Sequence, residues 1–325
     1  MKRLAAMGAA ILAVGTLTAD MALADWPERP IRFVVPFGSG GTSDQVARVL
    51  QAGIQDANAL SQPVTVVNIG GHYSIGARQV MEATPDGHTF LILHIALMGG
   101  EGTGAIDFGW RDFAPVATTG EFCLHPVVRK DLGIESVEEL LERAAAEPDQ
   151  LIFGVNIGAI NHLAGIMLEQ EKEGASFRFA QVGGGAANFA ALTGGQTDVG
   201  VLSGAEVVNF TLMPDGTENP ESAIRPLAYT GAERFEGMAH IPTMRELGYD
   251  MEFCIKNWVF APKGTPQEAI DGFADAIAAA RETPRFQEFM QNQGFANIFL
   301  TGEEMQADLE AIWEAIEPVA ELAAE

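Results

Sequence analysis

Residues 36–48 read PFGSGGTSDQVAR, a glycine-rich turn between the apolar run Ile31-Arg32-Phe33-Val34-Val35 and a helical pattern over 43–56. Glycines at a strand-to-helix junction let backbone N–H groups approach an anion at the positive end of a helix. Two nucleotide readings fail on detail. A P-loop needs Lys and then Ser/Thr after its last glycine, whereas Gly41 is followed by Thr42, Ser43 and Asp44. A dinucleotide fingerprint needs G-x-G-x-x-G, and Gly38, Gly40 and Gly41 have no further glycine at the required step. What remains is a site for a small anion such as a carboxylate. The competing reading is a well-capped helix start, with Thr42 and Gln45 forming a capping box.

Working outward, strand-like runs alternate with helical ones. IRFVV, PVTVVNI and HTFLILH are separated by helical patterns at 43–56 and 75–83, and PVATTGEFCLHPVVR follows. A second series places helices at 136–146, 161–172 and 186–193 among LIFGV, FRFAQV, TDVGVL and RPLAYT. The alternation predicts an α/β fold of two doubly wound lobes, each a parallel sheet covered on both faces. The last stretch holds EFCIKNWVFAP and helices at 266–282, 285–292 and 302–322. Met305, Leu309, Ile312, Trp313 and Ile316 recur at helical spacing as core, and Pro318 is expected to kink or end that helix. Glycine-rich turns at 38–41, 70–76, 156–162 and 183–188 follow the carboxyl ends of strands, the edge at which such sheets bind ligands. Two such edges facing each other make the cleft between lobes the natural site.

MKRLAAMGAAILAVGTLTADMALA, residues 1–24, has the basic start, short apolar stretch and Ala-Leu-Ala end of an export signal, so cleavage is expected before Asp25. The expected location is the periplasm. A formal net charge of −25 makes nucleic acid an improbable partner and obliges any anion to be held by local donors. Cys123 and Cys254 each follow Glu-Phe; they form either one disulfide or two buried thiols, and two cysteines do not make a metal site. No cofactor motif stands out.

The ordered set WPERPIRFVVPFGSGGTSDQVAR, ATPDGHTFLI, DFAPVA, GAINHLAG, ALTGGQTD, IPTMRELG and APKGTP resembles the periplasmic substrate-binding proteins of tripartite tricarboxylate transporters, the Bug/TctC group. The resemblance implies a type II periplasmic binding protein architecture. One lobe would comprise 25–122 with 250–325 and the other 123–249, joined by crossovers near 120–126 and 248–260. It also implies a monomer that is not an enzyme, that captures a small organic carboxylate (a di- or tricarboxylate, acidic amino acid or aromatic acid), and that delivers it to membrane subunits encoded elsewhere. Phe37, Gly38, Ser39, Gly40, Gly41 and Asp44 occupy the first ligand loop, with Asp44 cast as a cap. Gly71, His72 and Tyr73 occupy a second loop where the family usually carries Gly-Ala-Gly-Gly, so two side chains have been added. They either meet the ligand or point outward. Ala159 stands where a hydroxyl is common, and Val182-Gly183 where the family has Tyr-Lys. That leaves Asn156, Asn161 and Asn188, beside Gly184, as the polar candidates of the distal loops. His162 and Asp198 are expected to brace loops, and Trp258 is placed at the cleft or in the core.

Two rivals share the composition. A secreted hydrolase needs an activated nucleophile, but no G-x-S-x-G elbow surrounds Ser39, Ser43 or Ser203, and the histidines lack metal-site spacing. A ligand-sensing module of a signalling receptor would have the same fold and site.

Overall fold

The computed structural model describes residues 26–213, 217 and 219–322; the expected export signal lies outside them. The first half runs β1 (Ile31–Val35), α1 (Thr42–Asp56), β2 (Val64–Asn68), α2 (Tyr73–Met81), β3 (Thr89–Leu93) and α3 (Ala96–Gly102). β4 (Phe113–Arg129) then leads into α4 (Val137–Ala146), β5 (Ile152–Val155), α5 (Ile160–Gln170), β6 (Arg178–Gln181), α6 (Gly185–Thr193), β7 (Val199–Ser203), α7 (Gly204–Thr211) and β8 (Ile224–Pro226). β9 (Cys254–Pro262), α8 (Gln267–Arg281), α9 (Pro284–Asn292) and α10 (Gly302–Leu322) complete the chain. Among the described residues no helix is long and apolar enough to cross a membrane.

The α/β class holds, but the sheet is mixed and not parallel throughout. Strand order is β2-β1-β3-β9-β4-β7-β5-β6, with β8 also beside β4. β1 pairs in parallel with β2 and β3, and β5 with β6 and β7. β9 and β4 run antiparallel to each other and to their other neighbours. The reason is the crossover: one 17-residue strand carries the chain from the first half into the second. β4 pairs with β9 from Phe113 to Cys123 and with β7 from Leu124 to Val128. A strand that serves both halves cannot keep the direction set by the βα units of either.

The near-continuous apolar strands are buried as their composition requires, with Phe33, Phe90 and Phe273 forming one packed aromatic group in which Phe90 and Phe273 stack at 4.1 Å. In α10, Met305 and Leu309 are fully buried, while Ile312, Trp313 and Ile316 pack partly buried against the same core. Pro318 lies within α10 and does not end it. Two helices, α3 and α7, are absent from the sequence reading. α3 contains Met98-Gly99-Gly100, poor helix formers on propensity. Tertiary packing overrides propensity there: a Cβ at Gly99 would overlap the Gly158 carbonyl of the opposite half, and one at Gly100 would overlap the Tyr73 hydroxyl. The glycines let two backbones approach across the cleft.

The two cysteines form a disulfide, closing the alternative of free thiols. Cys123 and Cys254 are the last matched pair of the β4–β9 ladder, at the step where β4 changes partner. The bridge closes a loop of 131 residues. Loop entropy alone then favours the bridged fold by about 4–5 kcal/mol, with measured cases nearer 2–4. Replacing both cysteines by serine should therefore lower unfolding stability by about 2–4 kcal/mol in urea titrations, with the fold retained by circular dichroism.

Candidate functional site

The carboxyl ends of five parallel strands, β1, β3, β5, β6 and β7, point at one cavity of about 60 Å³ between the two halves. β1 supplies Phe37 and Gly38 through the loop it feeds, β3 supplies His94, β5 Asn156, β6 Gly184 and β7 Ser203. Phe122 and Leu124 enter from β4, where the strand passes between the halves. The volume suits a ligand of few heavy atoms.

Three helices open on this cavity: α1 with Gly41, Thr42 and Ser43; α5 with Ala159, Ile160 and Asn161; and α6 with Gly184 to Ala187. Their N-cap residues are Gly41, Ala159 and Gly184, and none supplies a side-chain cap. By contrast α2, α4, α7 and α9 are capped by His72, Ser136, Ser203 and Thr283. First-turn N–H groups have no acceptor within their own helix, so these three ends turn the positive end of the dipole and their N–H groups toward the cavity, except that the Thr42 N–H of α1 is taken by Glu206 Oε1.

Asn156 adds a fourth donor. Gln181 Oε1 accepts from Ile157 N at 2.8 Å, so its Nε2 is the atom that donates to Asn156 Oδ1 at 3.1 Å. The Asn156 amide is thereby oriented with Nδ2 as its free end. That nitrogen is buried without a partner in a side chain that lines the cavity. His94, stacked against Phe37 at 5.2 Å, is the second polar side chain of the wall. Its Nδ1 accepts from Ala96 N at 3.3 Å, which leaves the ring proton on Nε2, and burial depresses its pKa to about 3. It is a neutral donor at any working pH.

Glu206 completes the wall. α7 starts with a capping box: Ser203 Oγ accepts from Glu206 N at 3.2 Å, while Glu206 Oε2 accepts from Ser203 N at 3.0 Å. The other oxygen crosses the cleft to accept from Thr42 N at 3.1 Å, beside a 2.6 Å Thr42–Ser203 hydroxyl pair. Burial pushes the Glu206 carboxyl above its usual range, against the lowering effect of the Ser203 and Thr42 donors. The capping box predicted at Thr42–Gln45 is not formed. Gly41 is the cap residue, the Thr42 hydroxyl is taken by Ser203, and Gln45 donates to Gly40 O.

Of the fifteen residues singled out in the sequence, Phe37, Gly38, Gly41, Asn156, Ala159, Asn161 and Gly184 line the cavity. Asn161 is fully occupied there, accepting from Asn156 N and donating to Gly183 O. Ser39, Gly40 and Gly71 are exposed on loop tips. Asp44 lies behind the loop, accepting from Gly40 N at 2.8 Å and Asn68 Nδ2 at 2.9 Å and pairing with Arg48 at 3.0 Å. Burial raises its pKa, but Arg48, Gly40 and Asn68 outweigh that and the net shift is downward. Asn188 braces Gly183 O, and Trp258 is buried in β9 against Phe260. His162 holds Gly158 N and Asp198 holds Ile152 N, both as loop braces.

His72 and Tyr73 neither line the cavity nor face outward. His72 Nδ1 accepts from Ser74 N, and Nε2 stands 3.1 Å from Ile157 O across the cleft. Tyr73 is fully buried against Gly100 and Gly158. The pair ties the halves together. His94 and Glu206 were not singled out in the sequence, although His94 follows β3 at the ligand edge and Ser203-Gly204-Ala205-Glu206 is a capping-box pattern. Of the three serines weighed for a hydrolase two are otherwise engaged, Ser43 Oγ with Asn257 Oδ1 and Ser203 Oγ with Thr42, and Ser39 is exposed on its loop.

Known proteins resemble this chain along most of its length. Protein BugT of Bordetella pertussis is 30% identical over 314 residues, spanning 93% of this chain and 91% of that protein. The structure of the periplasmic binding protein BugD superposes with TM-score 0.79 at 29% identity, covering 91% of this chain and 97% of its own. R. palustris Rpa4515, solved with adipate, gives TM-score 0.80 at 27% identity over 92% and 98%. The model of the tripartite tricarboxylate transporter family receptor matches residues 46–309, and the chain belongs to that family of Bug/TctC periplasmic solute-binding proteins.

Proposed function

We propose that this protein captures a small organic carboxylate in the cleft and presents it to the membrane subunits of a tripartite tricarboxylate-type transporter, without changing it chemically. The observation that carries the reading is the meeting of three uncapped helix starts with the unpartnered Asn156 Nδ2 in one cavity whose wall holds no lysine or arginine. Such donors suit a carboxylate, each charge-assisted hydrogen bond contributing about 1.5–3 kcal/mol and each helix end about 0.3–1. The adipate bound to Rpa4515 supports the same ligand class. Among the classes expected from the resemblance, di- and tricarboxylates, acidic amino acids and aromatic acids, a small acid fits the cavity volume best. The lobes divide at 122/123 and 249/250, and the molecule acts as a periplasmic monomer whose leader, 1–24, is removed. Ligand closes the lobes by rigid rotation.

The direct test is a thermal-shift screen over carboxylic acids on protein unfolded and refolded to strip carried-over ligand. An acid present at ~100 times its Kd should stabilise by about 2.7 kcal/mol. No response to any acid would end the proposal.

Two variants test the donor loop. Gly41 has φ −78° and ψ 170°, open to any residue, and aspartate is a favoured N-cap. Gly41→Asp should therefore keep the fold, its added cap being set against repulsion from Glu206. Its Cβ would sit 3.4 Å from Glu206 Oε1 at the cavity wall, and calorimetric affinity for the best acid should fall by at least ~100-fold, about 2.7 kcal/mol. Arg48→Ala, which touches Asp44 and Asn68 behind the loop, should leave affinity within a few-fold.

His72→Ala removes one hydrogen bond between the halves. Its expected effect is a roughly 5-fold weaker affinity for every ligand, about 1 kcal/mol, with their ranking unchanged. A changed ranking in the calorimetric series would place the imidazole on the ligand instead.

A further inference from the structure

The two oxygens of the buried Glu206 carboxyl have different neighbours. Oε2 accepts from Ser203 N inside the capping box, whereas Oε1 accepts from Thr42 N across the cleft, in a side chain that lines the cavity. The point that a Cβ on Gly41 would occupy lies 3.4 Å from Oε1 and 3.8 Å from Ala186 N in the first turn of α6. A ligand oxygen near that point meets a helix-start donor and Glu206 Oε1 together. Two carboxylate oxygens facing each other are both acceptors, and they repel unless one of them carries a proton. In a cavity of about 60 Å³ whose wall holds no lysine or arginine, an anion has no room to sit far from this carboxyl and no side-chain cation to offset it.

We propose, resting on the carboxylate reading above, that Glu206 couples capture to a proton: Oε1 carries a hydrogen when the cleft is filled and donates it to the ligand carboxylate that the first turn of α6 holds. The hydrogen comes from solvent, one proton joining the Glu206 carboxylate for each ligand that finds it ionised, and it returns to solvent on release. A protonated carboxyl keeps acceptor capacity, so the Thr42 and Ser203 N–H groups retain their partner. Burial already favours the neutral acid in the closed cleft, and a bound anion favours it further. The complex then holds more protons than its separate parts, so affinity falls as pH rises, by up to about tenfold per pH unit. The elements around Glu206 offer no substitute for it. α6 and β7 carry no charged residue; α1 carries Asp44 and Arg48, β4 Glu121, His125 and Arg129, and β8 Arg225, and none of these shifts the Glu206 carboxyl. His94, the other titratable residue of the wall, stays neutral with its pKa at about 3.

Proton counting decides the matter. Pyruvate, L-lactate, L-malate, succinate and adipate are titrated calorimetrically into refolded wild-type protein and into Glu206→Gln, whose amide keeps the capping box and cannot ionise. Runs over about pH 5–8, each in two buffers of different ionisation enthalpy, give the protons taken up per ligand bound. The variant subtracts the titration of the ligand itself and of every other group. For each acid that binds, wild-type uptake should exceed that of the variant by about half a proton or more somewhere in the range, and wild-type affinity should fall from the acid to the alkaline end by at least ~10-fold more than the variant's. Equal uptake and parallel pH profiles in the two proteins would overturn the coupling while leaving the carboxylate reading intact. If none of the acids binds the wild type at any pH, the carboxylate reading itself fails and takes this inference with it. Should the glutamine variant not fold, infrared difference spectra of wild-type protein labelled with ¹³C-glutamate decide: the band of a protonated glutamate carboxyl must appear or shift when the acid is added, and a spectrum without such a change would overturn the proposal.

Discussion

An ionised carboxylate that leaves water loses several kcal/mol of hydration even after the protein relaxes around it, and where no lysine or arginine is at hand the loss is met by oriented dipoles. Much of the cleft's local design answers that constraint. The carboxyl edges of two sets of parallel strands are the places where loops turn directly into helix starts, so the constraint favours a doubly wound architecture. Caps that would consume the donors are missing at Gly41, Ala159 and Gly184, as they are at the starts of α3 and α8, while α2, α4, α7 and α9 keep theirs. Side chains near the loops are turned to bracing. Asn161, Asn188 and His162 spend their polar atoms on Gly183 O, Asn156 N and Gly158 N, fixing the backbone whose N–H groups do the binding.

Donors from two halves compensate one ligand only if the halves are held face to face. β4 and β9 provide that, lying side by side at the centre of the strand order and tied by the disulfide at the point where β4 changes partner. Across the cleft itself the contacts are few and small: Thr42 with Ser203 and Glu206, Gln45 with Asn209, His72 with Ile157, and glycine backbones at 99 and 158. Each hydrogen bond is worth about 1 kcal/mol net. Contacts of that size can be broken singly, which is what the lobe movement proposed above requires.

Much of this was legible in the sequence, for identifiable reasons. The βα alternation, the four glycine turns and the returning terminal segment reflect period and punctuation, which act locally. The sheet's mixed direction did not, because the antiparallel pairing of β4 with β9 joins residues more than a hundred positions apart. α3 was hidden by Gly99 and Gly100, whose helix is stabilised by packing that spans the cleft. For the site, the loop residues were readable from their place at strand ends, but the direction of a side chain was not. His72 and Tyr73 were correctly marked as unusual, yet nothing in their own segment states that the opposite half offers Ile157 O and Gly158 to receive them. Thr42 was read as a cap for the same reason: its partners, Ser203 and Glu206, are some 160 residues away.

Two carboxylates flank the same donor loop and show how differently one group behaves on either side of it. Asp44 sits behind the loop with Arg48, Asn68 and Gly40, and these partners outweigh its burial and keep it ionised. Glu206 sits in front, inside the cavity, and its neutral donors do not outweigh burial. Like charges 4 Å apart at an effective dielectric of ~20 repel by about 4 kcal/mol, more than one charge-assisted hydrogen bond returns. An anion meets the field of a chain carrying −25 formal charges on the way in, and meets that repulsion in the cleft only as far as Glu206 is ionised, which burial disfavours. Screening over roughly 8 Å at physiological salt weakens that long-range field and leaves the local arrangement to decide. The raised pKa of Glu206 lowers that repulsion, so a carboxylate can lie beside a protein acid that burial drives toward its neutral form, while the ionised Asp44 is kept behind the loop, away from the cavity.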